Sequence, residues 1–183
     1  RDGPDSPDTE GQVSLSINIH NTEKFTDRPR AVLFDLDNTL YSYHPAHEAG
    51  MAAVRDKAAR SVGARQVEFD EAFSKARAET KKQLGNAASS HSRLLYFQRT
   101  LEHLGLRSQA LLSLEFEQTY WGSFLSAVEL RAGVLNFLDL LTRAAIPKVI
   151  VTDLTTAIQL RKLVYLELDR RFEYVVTSEE SGA

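Results

Sequence analysis

Ala31-Val32-Leu33-Phe34-Asp35-Leu36-Asp37-Asn38-Thr39-Leu40 is an apolar run that passes directly into two carboxylates spaced by one residue. A short continuous apolar run is the pattern of a strand buried on both faces in a parallel sheet. Side chains alternate along a strand, so Asp35 and Asp37 are expected to project to the same side if the extended geometry lasts that far. Open α/β sheets place their chemistry beyond the C-terminal ends of their strands. Two carboxylates and the hydroxyl of Thr39 at such an end suit phosphoryl transfer assisted by a divalent cation. One carboxylate attacks phosphorus, and the other gives and takes the leaving-group proton.

Downstream of this strand come Tyr41-Ser42-Tyr43-His44-Pro45 and then a long stretch of helical periodicity. Met51, Val54, Ala58 and Val62 form one apolar stripe, and Phe69, Phe73, Ala76 and Thr80 a second. Leu94, Phe97, Leu101 and Leu104 mark a third helix that Gly105 is placed to end, and Leu112, Phe116, Tyr120 and Phe124 mark a fourth. Four amphipathic helices with short polar joints predict a small bundle. The α/β pattern then resumes. Ala132-Gly133 opens a helix carrying Val134, Phe137, Leu138 and Leu141, and Lys148–Thr152 reads as a second buried strand. Thr155 and Thr156 are candidate caps for a following helix whose stripe includes Leu160, Leu163 and Val164, and Phe172–Thr177 is a third strand.

Residues 1–30 are rich in Asp, Pro, Ser and Thr, as expected of a flexible tail. Within them Val13, Leu15, Ile17 and Ile19 alternate with polar residues, the period of one edge strand. The 183 residues carry a net charge of −3 with no block of like charges, which gives no footprint for nucleic acid or an anionic membrane. The absence of cysteine excludes disulfides, thiolate nucleophiles and zinc–thiolate sites. No apolar run approaches the length of a membrane span, and a cytoplasmic protein is the expectation.

The decapeptide at 31–40 resembles the first motif of the haloacid dehalogenase-like (HAD) superfamily, Asp-x-Asp-x-Thr after a hydrophobic strand. In the family branch with a helical cap, the cap is inserted between that motif and the second strand, where the four helices fall here. The family's second motif is a Ser or Thr ending that strand, and Thr152 in Val149-Ile150-Val151-Thr152-Asp153 fits. Dehalogenases lack an acid at the position of Asp37, so its presence points to phosphate-ester chemistry, of the phosphoglycolate-phosphatase or nucleotidase type.

The resemblance implies an α/β fold: a Rossmann-like parallel sheet with three of its usual strands and an inserted helical cap. The corresponding division is an N-terminal extension at 1–27, a core from 28–44 and 131–183, and a cap at 45–130. It implies Mg²⁺-dependent hydrolysis of a small phosphorylated metabolite through an aspartyl-phosphate. Asp35 would be the nucleophile, Asp37 the acid and base, and Thr152 the phosphoryl-oxygen donor, with Thr39 and Asp153 beside the phosphate. Asp35 and the carbonyl of Asp37 would hold the metal. The family's third-motif Lys and its fourth, acidic motif are not matched. The chain ends at Thr177-Ser178-Glu179-Glu180-Ser181-Gly182-Ala183, so a truncated form of a longer phosphatase is expected. Lys162 is read as a solvated helix lysine. The alternative is a catalytically inactive HAD-like binding or scaffold protein. Tyr43, His44, His47, His91, Arg93 and Tyr96 are the bundle's candidates for leaving-group contacts.

Overall fold

The computed structural model describes residues 27–181; the alternation at 13–20 lies outside them. Three short strands form the sheet: β1 (Val32–Phe34), β2 (Lys148–Thr152) and β3 (Tyr174–Thr177). All pairings are parallel in the order β1-β2-β3, with Val32 opposite Lys148 and Thr152 opposite Thr177. Ile150 at the centre of β2 is fully buried, whereas Leu33 on β1 is 68% exposed. Among the described residues β1 is therefore an edge, as expected for a sheet with only these three strands. Helices α5 (Val134–Arg143) and α6 (Thr156–Tyr165) alternate with the strands, and the four-residue α7 (Ser178–Ser181) follows β3. This is a Rossmann-like α/β core.

Between β1 and β2 run α1 (Tyr43–Val62), α2 (Gln66–Leu84), α3 (Arg93–His103) and α4 (Ala110–Ser126), with a 3-10 turn at Ala88–His91. Helix α1 packs chiefly on α4, and α2 on α3. The predicted stripes point inward: Met51, Val54 and Ala58 on α1, and Phe69, Phe73, Ala76 and Thr80 on α2, are all buried. Gly50 lets α1 approach α4. A Cβ there would stand 2.8 Å from a ring carbon of Tyr120 and 3.0 Å from its carbonyl oxygen. The two chain segments that join the bundle to the sheet are tied together. Tyr41 bridges Leu130 in antiparallel fashion, and the Arg131 N–H donates to the Leu40 carbonyl at 2.9 Å.

Helix α6 departs from the expected stripe. Leu160 and Val164 face solvent, while Ile158, Gln159, Lys162 and Leu163 are buried. The inward face runs through 158, 162 and 166, one turn apart, and it carries two polar residues where an apolar stripe was expected.

Candidate active site

Strand β1 ends at Phe34, but alternation persists past it: Asp35 is exposed, Leu36 fully buried and Asp37 half-buried. The chain then turns at Asn38, whose φ of 62° lies in the left-handed region that Asn tolerates better than most residues. Arg131 holds this turn by donating from Nη2 to the Asn38 carbonyl at 3.0 Å. The turn returns Thr39 to Asp35, and its hydroxyl donates to Oδ2 at 2.8 Å.

Asp37 enters a denser network. Lys162 Nζ donates to its Oδ1 at 2.5 Å, Tyr41 donates its hydroxyl to the same oxygen, and Gln159 Nε2 donates to Oδ2 at 2.9 Å. The same Gln159 nitrogen reaches the Thr152 hydroxyl and the Asp153 carbonyl, each at 2.6 Å. Reversing that amide would aim its oxygen at a carboxylate and a carbonyl, so the nitrogen belongs there. In consequence Gln159 Oε1 is buried without a partner among the described residues. One side chain from α6 thus links the ends of β1 and β2.

The expectation for Lys162 is corrected here: it is fully buried, not solvated. Burial lowers its proton affinity, and the charge of Asp37 works in the opposite direction. The rings of Trp121, Phe124 and Tyr41 lie 5.6–6.0 Å from Nζ and offer their negative faces to the cation. Tyr41 is held far above an ordinary phenol by burial and by Asp37, so it remains a donor. The sequence signal for Lys162 and Gln159 was their phase: both fall on the face defined by Ile158 and Leu166.

The structure thus brings Asp35, Asp37, Thr39 and Thr152 to one end of the sheet. Asp35, Thr152 and Asp153 line a cavity of about 350 Å³ beyond the strand ends. The side chain of Asp153 is exposed rather than capping α6, whose first N–H is taken by the Glu179 carboxylate at 2.7 Å. Among the described residues no group of three or more His, Asp or Glu is arranged to hold a metal.

Of the bundle candidates, Tyr43, His47, Arg93 and Tyr96 converge. Arg93 donates to the Tyr43 hydroxyl at 2.5 Å and the His91 carbonyl at 2.9 Å. Its guanidinium lies 5.3 Å from the ring centres of both Tyr96 and Tyr120. His47 Nδ1 is 2.7 Å from the Tyr120 hydroxyl. His44 is exposed.

The haloacid dehalogenase-like hydrolase family matches residues 29–183. The chain belongs to that family. Among sequence relatives, a ribulose-1,5-bisphosphate 5-phosphatase of Halopiger xanaduensis is 40% identical over 154 residues, covering 83% of this chain. The chain spans 64% of that relative's length. Solved HAD structures share the fold. A 2-haloacid dehalogenase from Pseudomonas syringae superposes with a TM-score of 0.66 at 22% identity, over 84% of this chain and 65% of its own. A HAD phosphatase from Thermococcus onnurineus gives 0.57 at 22% identity, over 85% and 65%.

Proposed function

We propose that this HAD-family chain acts on a small phosphorylated metabolite as a phosphate monoester hydrolase, with α1–α4 serving as a cap over the strand ends. The observation that carries the reading is the unequal treatment of two neighbouring carboxylates. Asp35 is exposed toward a cavity, and among the described residues its one side-chain hydrogen bond is to Thr39. Asp37 is held by Lys162, Tyr41 and Gln159. A nucleophile needs access, whereas a proton-transfer group needs a fixed position.

Asp35 attacks phosphorus, and the bond from phosphorus to the leaving oxygen breaks as Asp37, which enters this step having taken up a proton, delivers it to that oxygen. Asp37 then takes a proton from the water that hydrolyses the aspartyl-phosphate. Thr39, the Thr152 hydroxyl and the backbone N–H of Asp153 bind phosphoryl oxygens. Gln159 fixes Thr152 and Asp37 relative to each other.

The donor set fits Mg²⁺. It offers only oxygen, with two carboxylates, Asp35 and Asp153, on a cavity roomy enough to leave several waters on the ion. Asp35 and the carbonyl of Asp37 would hold it, and when bound it supplies positive charge between nucleophile and phosphate. The absence of a three-residue acidic cluster among the described residues is what favours the alternative, a binding protein without turnover.

Hydrolysis of p-nitrophenyl phosphate with Mg²⁺ present separates the two. Asp35→Asn should abolish turnover, because the amide is a poor nucleophile. Thr152→Ala should cost about 10²–10³, the loss of one oxyanion donor. Equal rates for wild type and Asp35→Asn would remove Asp35 from the mechanism, and no turnover of any phosphate ester would favour the binding protein.

A further inference from the structure

We infer that Trp121, on the bundle helix α4, is a positioning residue for Asp37: it braces Lys162, and through Lys162 it fixes the Asp37 oxygen that the ammonium holds. Its bearing on proton transfer rests on the hydrolase reading above; the relay itself rests on the following geometry.

The two oxygens of Asp37 are held by different parts of the fold. Oδ2 accepts from Gln159, whose contacts with the Thr152 hydroxyl and the Asp153 carbonyl tie it to the end of β2. Oδ1 accepts from Lys162 Nζ at 2.5 Å and from the Tyr41 hydroxyl. A carboxylate held at one oxygen can still swing about its side-chain bonds, whereas one held at both keeps a single orientation. The donors to Oδ1 therefore complete what Gln159 begins.

An ammonium carries three donors. Among the described residues Lys162 makes one hydrogen bond, to Asp37, and its side chain is fully buried. The rest of its charge is met by ring faces: Trp121 at 5.6 Å, Phe124 at 5.7 Å and Tyr41 at 6.0 Å from Nζ. Trp121 and Phe124 lie one turn apart on α4, so both belong to the bundle, while Lys162 belongs to α6 of the core. The rings brace one another edge to face, Trp121 against Phe124 with centroids 5.3 Å apart and Phe124 against Tyr41 at 6.2 Å. A lysine stem is flexible, and this cage is what confines its head.

Trp121 differs from the other two rings in the cage. Among the described residues it is the ring that faces both enclosed cations, with the Arg93 guanidinium 5.9 Å from its centre. An indole is also the strongest aromatic partner for a cation. Trp121 thus links the polar interior of the bundle to Asp37, with no hydrogen bond of its own to that carboxylate among the described residues.

The first test reads Asp37 without turnover. In the 183-residue chain the carboxyl carbon of Asp37 is followed by NMR at one fixed pH with no metal added. Trp121→Leu should shift this signal, and in a Lys162→Met background the same substitution should leave it in place. Trp121 is 7% exposed, so its loss carries a folding risk, and Trp121→Phe is the second variant. The smaller, weaker ring should shift the signal less and in the same direction. An Asp37 signal indifferent to both substitutions overturns the proposal, as does an equal shift with and without Lys162.

The second test compares two esters with Mg²⁺ present. A nitrophenolate leaves without a proton, whereas the propoxide of n-propyl phosphate needs one from the acid. Trp121→Leu should lower kcat for n-propyl phosphate about tenfold or more beyond its effect on p-nitrophenyl phosphate, with KM for both near wild type. Trp121→Phe should restore most of that loss. Equal losses on the two esters, or a loss confined to KM, would make Trp121 a packing residue only and overturn the proposal. If wild type hydrolyses neither ester, the hydrolase reading fails and the Asp37 signal alone decides the relay.

Discussion

Lys162 and Arg93 are two cations enclosed by aromatic rings, and they differ in what faces them. Lys162 at the sheet end has a carboxylate at 2.5 Å; Arg93 in the bundle has a phenol, a backbone carbonyl and ring faces but, among the described residues, no ion-pair partner. A lysine can shed its proton when burial becomes too costly, and its partner Asp37 is what opposes that. An arginine has no such exit and must be solvated by whatever surrounds it. The lesson is that an enclosed cation paired with a carboxylate fixes the position of its partner, while one enclosed without an ion-pair partner is held by the dipoles and ring faces around it.

The strongest way to break this contrast is Lys162→Met, which leaves the Asp37 carboxylate without its cation. Removing one partner of a buried ion pair costs about 3–5 kcal/mol. The Asp37 side chain keeps 23% exposure, so the lower end of that range is expected. Arg93→Met orphans no carboxylate and should cost less. Urea unfolding of both variants checks the order. A cycle with Asp37→Asn sharpens it: the double variant should be more stable than the sum of the single losses predicts, and additivity to within about 0.5 kcal/mol would mean the pair is not coupled.

A smaller effect is expected from Gly50→Ala, which acts on the bundle side. The new methyl would meet the Tyr120 ring at 2.8 Å and the Tyr120 carbonyl at 3.0 Å, and Tyr120 is one of the rings beneath Arg93. Overpacking costs roughly 1–3 kcal/mol, offset by roughly 1 kcal/mol of helix propensity gained over Gly. A net loss of about 1 kcal/mol should appear as a lower melting temperature by circular dichroism. A stabilised variant would show that α1 and α4 are not in tight contact at Gly50.

The fold was legible because its signals were local and periodic. The stretches 32–34 and 148–152 are strands that pair side by side, and the residues between them carry helical stripes whose middles are buried, while Val62, Leu94, Leu104 and Leu112 at their ends are half-buried. Asp35, Asp37, Thr39 and Thr152 were legible for the same reason, since each sits at or just past a strand end. Gln159 and Lys162 were not. Polar residues on a ten-residue helix look solvated, and Leu160 and Val164 pulled the apparent stripe onto the wrong face. Only the three-dimensional meeting of α6 with Asp37 makes burial of that amine tolerable. The Arg93 surroundings were legible as residues, since Tyr43, His47, Arg93 and Tyr96 were all candidates, but their meeting with Tyr120 was not, because they assemble from α1, α3 and α4, whose packing no single stripe specifies.

The smallest effect concerns His47, which touches the Arg93 side of the comparison through Tyr120. Its ring stacks on Tyr43 with centroids 5.4 Å apart, and its Nδ1 meets the Tyr120 hydroxyl at 2.7 Å. Burial first, then the charge of Arg93, lowers its pKa from 6.5 to about 4; Arg77 and His44 add to this and Glu48 opposes it. Tyr120 is held above an ordinary phenol, chiefly by burial, so a neutral hydroxyl meets a neutral imidazole, and the tautomer of His47 sets which of the two donates. In the unfolded chain His47 takes its proton near pH 6.5, while in the folded protein it waits until about pH 4. Between those values the unfolded state binds more protons, so this group's contribution to stability falls as the pH drops through that window and is level above it. His47→Gln removes the titration while keeping a polar side chain against Tyr120. The urea midpoint of wild type should therefore drop more between about pH 7 and pH 5 than that of the variant. Because the imidazole is only half-buried, solvent screening keeps the difference modest. Identical pH dependence in the two proteins would mean that burial and the charge of Arg93 together do not lower the His47 pKa in the folded protein.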